Sequence, residues 1–294
     1  MITIVGDVIV DEYLYGELIG PSSEVVCGRK IRILQKDRKL GGAAAVAALI
    51  VAMGERPLLA SVRADDDNGG WLALELQQRR VLTEIQRDPA RKTTTKTRVL
   101  LNNQIQPDRL DYETLDPITE EQTKLISKVH VGDEEGDAVL LIDYGKGVLS
   151  DDLCAKLIRR ADAKNTPVVV DPALGVPWTR YIGATLIKAN RLEASMELGY
   201  SGSRWLEPDE MVGALAEKYH CKVIITDGDR GMSWAVYGGD SGHVPAQKST
   251  VVDITGCGDT VAAAVAMRIN HQLPDICHFA ATEAAKCVGR VGVC

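Results

Sequence analysis

Apolar residues recur along this chain in two alternating patterns: short continuous runs and longer stretches with helical spacing. The runs Leu58–Val62, Ala138–Ile142, Pro167–Val170, Ala184–Ile187 and Lys222–Thr226 are rich in aliphatic residues, and each predicts a buried strand. Between and after them, Gly70–Arg80, Glu120–Val129, Ser150–Ala163, Asp209–His220, Gly256–Asn270 and Asp275–Val288 predict helices. Repeated strand–helix units imply an α/β fold, a mostly parallel sheet with helices on both faces. Upstream, Ile2–Val10 reads as an apolar strand interrupted at Gly6-Asp7 and closed by Asp11. Gly41-Gly42 opens a run of ten alanine, valine, leucine and isoleucine residues ending at Met53, a helix apolar on nearly every face and therefore buried.

Three segments break this rhythm. Val25–Gln35 alternates in its second half, Lys92–Leu101 is a second exposed strand, and Arg109–Tyr112 is a short third. Inserted between the strand–helix units, they predict a small β lid, contributed by about 12–39 and 92–113, on a single domain covering 1–294. The lid is rich in cations: Arg29, Lys30, Arg32, Lys36, Arg38 and Lys39 in one piece, Lys96 and Arg98 in the next, then Arg109. Such charge can protect sheet edges from aggregation; over a site it can also attract an anionic substrate.

Composition narrows the classes. Hydrophobic residues at 45% and charged residues at 26% are those of a globular protein with a sizeable core. A net charge of -7 argues against a nucleic-acid partner. No apolar run reaches about 18 residues, so no membrane span is expected. The N-terminal M-I-T-I-V-G-D is already a strand without a basic leader, so no signal peptide is expected. Seven cysteines without a C-x-x-C pair read as thiols of a reducing cytoplasm, and five scattered histidines add no metal signal.

The chemistry concentrates in V-D-I-T-G-C-G-D-T (252–260). A β-branched run, Ser249–Ile254, reaches Thr255; Gly256, Cys257 and Gly258 follow, then Asp259 and an apolar run from Val261 to Met267. This is strand, tight turn, helix. The two glycines allow a sharp turn and close ligand approach, and the free N–H groups of the helix start suit an anion. Asp259, in the first turn, can cap the helix or act as a general base beside a phosphoryl group. Asp7 and Asp11, four apart, share a face of their strand; they can bind loop amides or grip sugar hydroxyls. Ligands bind such sheets beyond the strand carboxyl ends, where Asp11, Asp143 with Lys146, Asp171, Asn190 and Asp227 fall. Asn190 and Glu193 lie on one face of a helix start, fitted either to a capping box or to holding magnesium through waters. Thr226–Gly231, T-D-G-D-R-G, is a turn between strands.

In this order the pieces resemble the ribokinase-like (PfkB) carbohydrate kinases over almost the whole chain. The likeness rests on G-D-x-x-x-D at 6–11, the Gly41-Gly42 helix, N-x-x-E at 190–193, the 226–231 turn and T-G-C-G-D-T at 255–260. Within that family the chain looks most similar to the stand-alone heptose-7-phosphate kinases of the ADP-heptose pathway, through G-D-V-I-V-D-E-Y-L-Y-G (6–16), T-R-V-L-L-N-N-Q (97–104), R-L-D-Y-E (109–113) and D-Y-G-K-G-V-L (143–149). The resemblance implies a ribokinase-like fold and ATP and Mg2+ as cofactors. It implies Asp259 as base and the amides of Gly256, Cys257 and Gly258 as the anion hole. Asn190 and Glu193 would serve the magnesium–phosphate end, with Thr226, Gly228, Gly231 and Thr255 at the nucleotide. Asp7, Asp11, Gly41 and Gly42 would hold the sugar, and Asp143 and Lys146 its reacting end. Lys96, Arg98 and Arg109 are candidates for a phosphate already on the substrate.

Departures from the family pattern are Ala45 for a sugar-contacting asparagine, Ala173 for lysine, Ala189 for proline, Cys257 for alanine and Ala281 for an asparagine near the adenine. The expected activity is phosphorylation of a heptose 7-phosphate at its anomeric hydroxyl, in the cytoplasm, by a homodimer paired through its lid. The rival readings are a kinase of another sugar, sugar phosphate or nucleoside, and a binding module without catalysis.

Overall fold

The apolar runs become the middle of a sheet. In the computed structural model, which describes residues 1–22, 24, 28–102, 104–132, 136–200, 206–250 and 255–289, the chain order is β1 (Ile2–Gly6), β2 (Val8–Pro21), β3 (Arg29–Gly42), α1 (Ala43–Ala52), β4 (Pro57–Ala64), α2 (Asp67–Gln78), β5 (Leu82–Asp88), β6 (Thr95–Leu101), β7 (Gln104–Tyr112), α3 (Glu120–Ile126) and β8 (Ala138–Ile142). It continues through α4 (Asp151–Asp162), β9 (Val168–Asp171), β10 (Leu186–Asn190), α5 (Arg191–Glu197), α6 (Pro208–Tyr219), β11 (Lys222–Thr226), β12 (Met232–Ala235), β13 (Ser241–Val244), α7 (Cys257–Met267) and α8 (Leu273–Val288).

Nine strands form the main sheet in the order β13-β12-β11-β10-β9-β8-β1-β4-β5. From β5 to β11 every pairing is parallel; β12 and β13 add antiparallel. Alternate residues of each strand feed two cores. Ile4 and Leu140 pack with α1, α2, α7 and α8, while Val5 and Leu141 pack with α3 to α6 on the other face. Two-sided burial is why these strands read as continuous apolar runs instead of alternating ones. The helix α1 is buried from Ala43 to Ile50, as its composition demands.

A separate four-stranded sheet, β3-β2-β6-β7, joins the basic segments to β2, which carries no lysine or arginine. The strand at β3 runs on through Lys36–Lys39 because β2 pairs with it as far as Gly42; the expected strand portion at 25–27 lies outside the described residues, as does most of the strand expected over Ser249–Ile254. Helix α2 begins at Asp67, ahead of the expected Gly70, because the Asp66 side chain caps it by accepting from the Gly69 amide. Strand β10 ends at Asn190, carrying the strand three residues past its apolar run. The edge strand β5 was not legible: L-T-E-I-Q-R-D is largely exposed and too polar to stand out.

One expectation is corrected. Asp7 and Asp11 do not share one strand. Gly6 ends β1 in the main sheet, and β2 begins at Val8 in the other. A side chain on Gly6 would strike the Ile142 carbonyl, so only glycine lets β1 and β8 close up at this crossing.

Candidate active site

The parallel strands deliver their carboxyl ends to one edge. Gly6 lies in register with Ile142, Ile142 with Asp171, and Asn190 with Thr226. The residues singled out at 143, 171, 190 and 227 therefore gather along a single rim.

The T-G-C-G-D-T turn meets this rim as the start of α7. Gly256 is the N-cap with φ 80°, a left-handed conformation suited to glycine, and it offers no side chain to the helix amides. Gly258, also expected to bend the chain, is already inside the helix. The first amides of α7 thus lack intrahelical acceptors and form a concave donor set at the positive end of the helix. The Cys257 thiol turns away toward α8, 3.9 Å from Cys287 Sγ.

Asp259 does not cap this helix. It is 7% exposed, and its Oδ1 accepts from the Tyr144 hydroxyl at 2.7 Å. Burial pushes its carboxyl up to about 7; Asp171 and Asp11 add to that, while the Tyr144 hydrogen bond and Lys188 oppose it.

Beside it lies a buried ion pair. Lys188 Nζ sits 3.0 and 3.1 Å from the Asp171 carboxylate oxygens, and it is 3.6 Å from the point where a Gly258 side chain would begin. Burial opposes the Lys188 charge, but Asp171, Glu193 and Asp259 outweigh it and hold its pKa above the ordinary value. Glu193 and Asn190 form a reciprocal capping box: Asn190 N donates to Glu193 Oε2 at 2.8 Å, and Glu193 N to Asn190 Oδ1 at 2.9 Å. Burial, with Asp171 nearby, raises Glu193 to about 7. Thr226 hydrogen-bonds the Ala189 carbonyl, and Gly228 and Gly231 take positive φ through the following turn. Thr255 borders α7 beside Cys287.

On the opposite side of Asp259, cations of the second sheet converge with Lys146 of the loop after β8, and most are neutralised. Arg98 Nη1 is 2.6 Å from Asp11 Oδ1, Arg109 Nε is 2.7 Å from Asp111 Oδ1, and Lys146 Nζ is 2.7 Å from Glu113 Oε2. Lys96 instead lies over the Tyr144 ring, 4.8 Å from its centroid. Burial lowers its pKa, with Asp11 pulling the other way and Arg109 and Lys146 adding to the fall.

Two carboxylates expected at the sugar serve the scaffold. Asp7 accepts from the amides of Tyr144, Lys146 and Val148; burial and the neighbouring Asp143 raise it to about 6. Asp143 accepts from Gly145 N, Arg180 Nη1 and Tyr181 Oη. Together they shape the loop that carries Tyr144 and Lys146. Gly41 packs on the Asp11 carboxylate, and Gly42, with φ 56°, lies against the Asp7 carbonyl. Neither position has room for a side chain.

Comparison with known proteins decides the family: residues 5–294 match the pfkB family of carbohydrate kinases. The chain belongs to that family. It is an ATP-dependent sugar kinase. Curated relatives include the bifunctional protein HldE of Geobacter sulfurreducens, 33% identical over 98% of this chain and 59% of that protein, and HldE of Helicobacter hepaticus, 31% identical over 99% and 61%. The kinase therefore spans about three-fifths of the curated relatives it matches. Among solved structures, Escherichia coli phosphofructokinase-2 in complex with potassium superposes with a TM-score of 0.81 at 16% identity, covering all of this chain and 94% of that one. Arabidopsis thaliana ribokinase complexed with ribose and ATP gives 0.78 at 19%, covering 99% and 93%. At such identities these likenesses show the fold, which is ribokinase-like.

Sequence reasoning did not single out Lys188 and Tyr144, which the fold brings to Asp259. A signal existed for each. Lys188 is a charge inside an apolar strand, which needs a buried partner; Tyr144 stands inside the D-Y-G-K-G motif. Among the described residues no helix is long and apolar enough to cross a membrane.

Proposed function

We propose that the kinase phosphorylates a heptose 7-phosphate at its anomeric hydroxyl, giving the 1,7-bisphosphate. The observation that carries this reading is the convergence of Lys96, Lys146, Arg98 and Arg109 on the side of Asp259 away from the nucleotide edge. An uncharged sugar has no use for such a cluster, whereas a sugar phosphate brings about two negative charges. The HldE relatives support a heptose kinase role.

In this mechanism Asp259 takes the proton of the acceptor hydroxyl as its oxygen attacks the γ-phosphorus of ATP and the bond to ADP breaks. A base with a pKa of about 7 is matched to work near neutrality. The amides of residues 256–258 face the transferring phosphoryl, where negative charge must be held, with the Lys188 ammonium beneath them. Thr226, Gly228, Gly231 and Thr255 line the nucleotide, and Asp11 and Gly42 the sugar.

Among the described residues no three His, Cys, Asp or Glu side chains cluster as metal ligands. That fits an ion that keeps its water shell and arrives with the nucleotide phosphates. Glu193, with Oε1 left over from the cap, and Asn190 would hold it through water; magnesium would neutralise phosphate charge. Glu193→Gln is expected to raise the magnesium concentration for half-maximal activity several-fold. Glutamine keeps the capping box, so thermal stability should hold. An unchanged magnesium curve would leave Glu193 as a cap alone.

A panel of sugars, sugar phosphates and nucleosides in an ADP-release assay tests the substrate. Preference for an unphosphorylated sugar would overturn it in favour of the second reading, a kinase of another sugar or nucleoside. That reading draws support from Ala45, an apolar residue 1% exposed where a sugar-contacting asparagine would stand. Lys96 is the cation to remove first, since Asp11, Asp111 and Glu113 already hold the other three. Lys96→Ala should raise KM for the phosphorylated sugar by about tenfold, or ~1.4 kcal/mol, with a smaller loss at high salt and an unchanged KM for ATP.

The second sheet acts as a lid on the single domain and pairs with that of another copy in a cytoplasmic homodimer. Leu18, Ile19, Ile33, Leu34, Ile105 and Leu110 support this, each at least 44% exposed on that sheet. Leu34→Asp should shift the protein toward monomer in sedimentation velocity; a wild type already monomeric at micromolar concentration would refute the pairing.

A further inference from the structure

The Asp259 carboxylate receives one hydrogen bond from the described residues. Tyr144 Oη donates to Oδ1 at 2.7 Å, and Oδ2 is left without a donor. A carboxylate hinged at Cβ can rotate, and a general base must present one oxygen within hydrogen-bonding distance of the acceptor hydroxyl. A donor fixed on one oxygen stops that rotation and leaves the other free.

Tyr144 is itself held at three points. Its amide donates to the buried Asp7 carboxylate at 2.8 Å. Its ring packs against the core cluster that contains α1 and α7. Lys96 stacks over the outer face, 4.8 Å from the centroid. Burial, with the Asp259 charge, raises the phenol well above its ordinary pKa, so it stays protonated and remains a donor. The phenol does not compete for the role of base.

We propose that Tyr144 is the positioning residue of the phosphoryl-transfer base: its hydroxyl clamps Oδ1 of Asp259 so that Oδ2 faces the sugar hydroxyl, and Lys96 over its ring ties that clamp to the anionic end of the substrate. This rests on Asp259 being the base. The groups that act on Asp259 are Tyr144 from the loop after β8, Asp171 at the end of β9, Lys188 in β10 and Asp11 on β2. Asp171 and Asp11 disfavour its ionised form. Tyr144 and Lys188 favour it, and Tyr144 alone does so by a direct hydrogen bond.

The test is Tyr144→Phe, which keeps the ring and its packing. Turnover at pH 7 should fall about tenfold. The acid limb of kcat/KM should move upward by about one pH unit, the scale set by one hydrogen bond to a charged group. KM for ATP should stay at its wild-type value, and the melting temperature should fall by no more than a few degrees, the cost of one buried hydrogen bond. A limb that does not move overturns the proposal whatever turnover does, because packing alone would not couple Tyr144 to the ionisation of Asp259. The parallel measurement is Asp259→Asn. If that variant retains near-normal turnover, the assignment of the base fails and this inference with it. If it is inactive while Tyr144→Phe keeps the wild-type limb, only the positioning role fails.

Discussion

Asp259→Asn should lower kcat by about 100-fold or more, the scale for losing a general base, with ATP affinity little changed in an equilibrium binding measurement. The physical reason is that the amide cannot accept the proton of the acceptor hydroxyl, while the helix amides and the nucleotide edge remain. The pH profile supplies a second reading. Burial holds the Asp259 pKa up at about 7, so wild-type activity should rise with pH through about 7 and level off above it, and the residual activity of the variant should lack that limb. Stability runs the opposite way. A carboxyl whose folded pKa is raised above its unfolded value contributes stability that is present at low pH and lost as pH rises through the folded value. The wild type gives this up between about 4 and 7, and asparagine does not titrate. The variant should therefore melt no lower than the wild type at pH 8, by calorimetry. A variant with near-normal turnover would remove Asp259 from the mechanism.

Lys188→Met should destabilise the fold by about 3 kcal/mol or more, because it strands the Asp171 carboxylate in the interior. The deficit should grow with pH. An unpaired buried Asp171 has a folded pKa far above its unfolded one, and it can relieve the cost by taking a proton only while the pH is low. Denaturant unfolding at pH 5 and pH 8 would measure this. Lys188→Met with Asp171→Leu should recover most of the stability, since apolar residues of similar volume commonly replace a buried pair without loss. Activity should not return, because the ammonium beneath the phosphate-facing amides is still missing. Recovery of both stability and turnover in the double variant would make the pair a structural element only.

Two features thus serve stability and chemistry in opposite senses. The acid cluster of Asp259, Asp171 and Glu193 around Lys188 is costly to bury, and burial is what moves Asp259 and Glu193 to about 7. The same carboxylates moved to the surface would be less costly to fold and would titrate in the ordinary acidic range.

The amino-acid sequence by itself determined most of the strand–helix order, the parallel sheet and the glycine-rich turn that starts α7. These are local: buried parallel strands write themselves as apolar runs, helices as 3.6-residue periodicity, and the glycine N-cap of α7 as Thr-Gly-Cys-Gly-Asp. It also marked which charges were out of place. What it could not encode locally is which charge meets which. Tyr144 reaches Asp259 across 115 residues, Arg98 reaches Asp11 across 87, and Asp7 is spent on amides at 144 to 148. Whether Arg98 is a free cation or half of an ion pair, and whether Asp7 faces a ligand or a loop, depends on where separate strands end in space. Only tertiary structure decided that, because electrostatic partnership is set by distances of a few ångströms between groups whose separation along the chain carries no record of it.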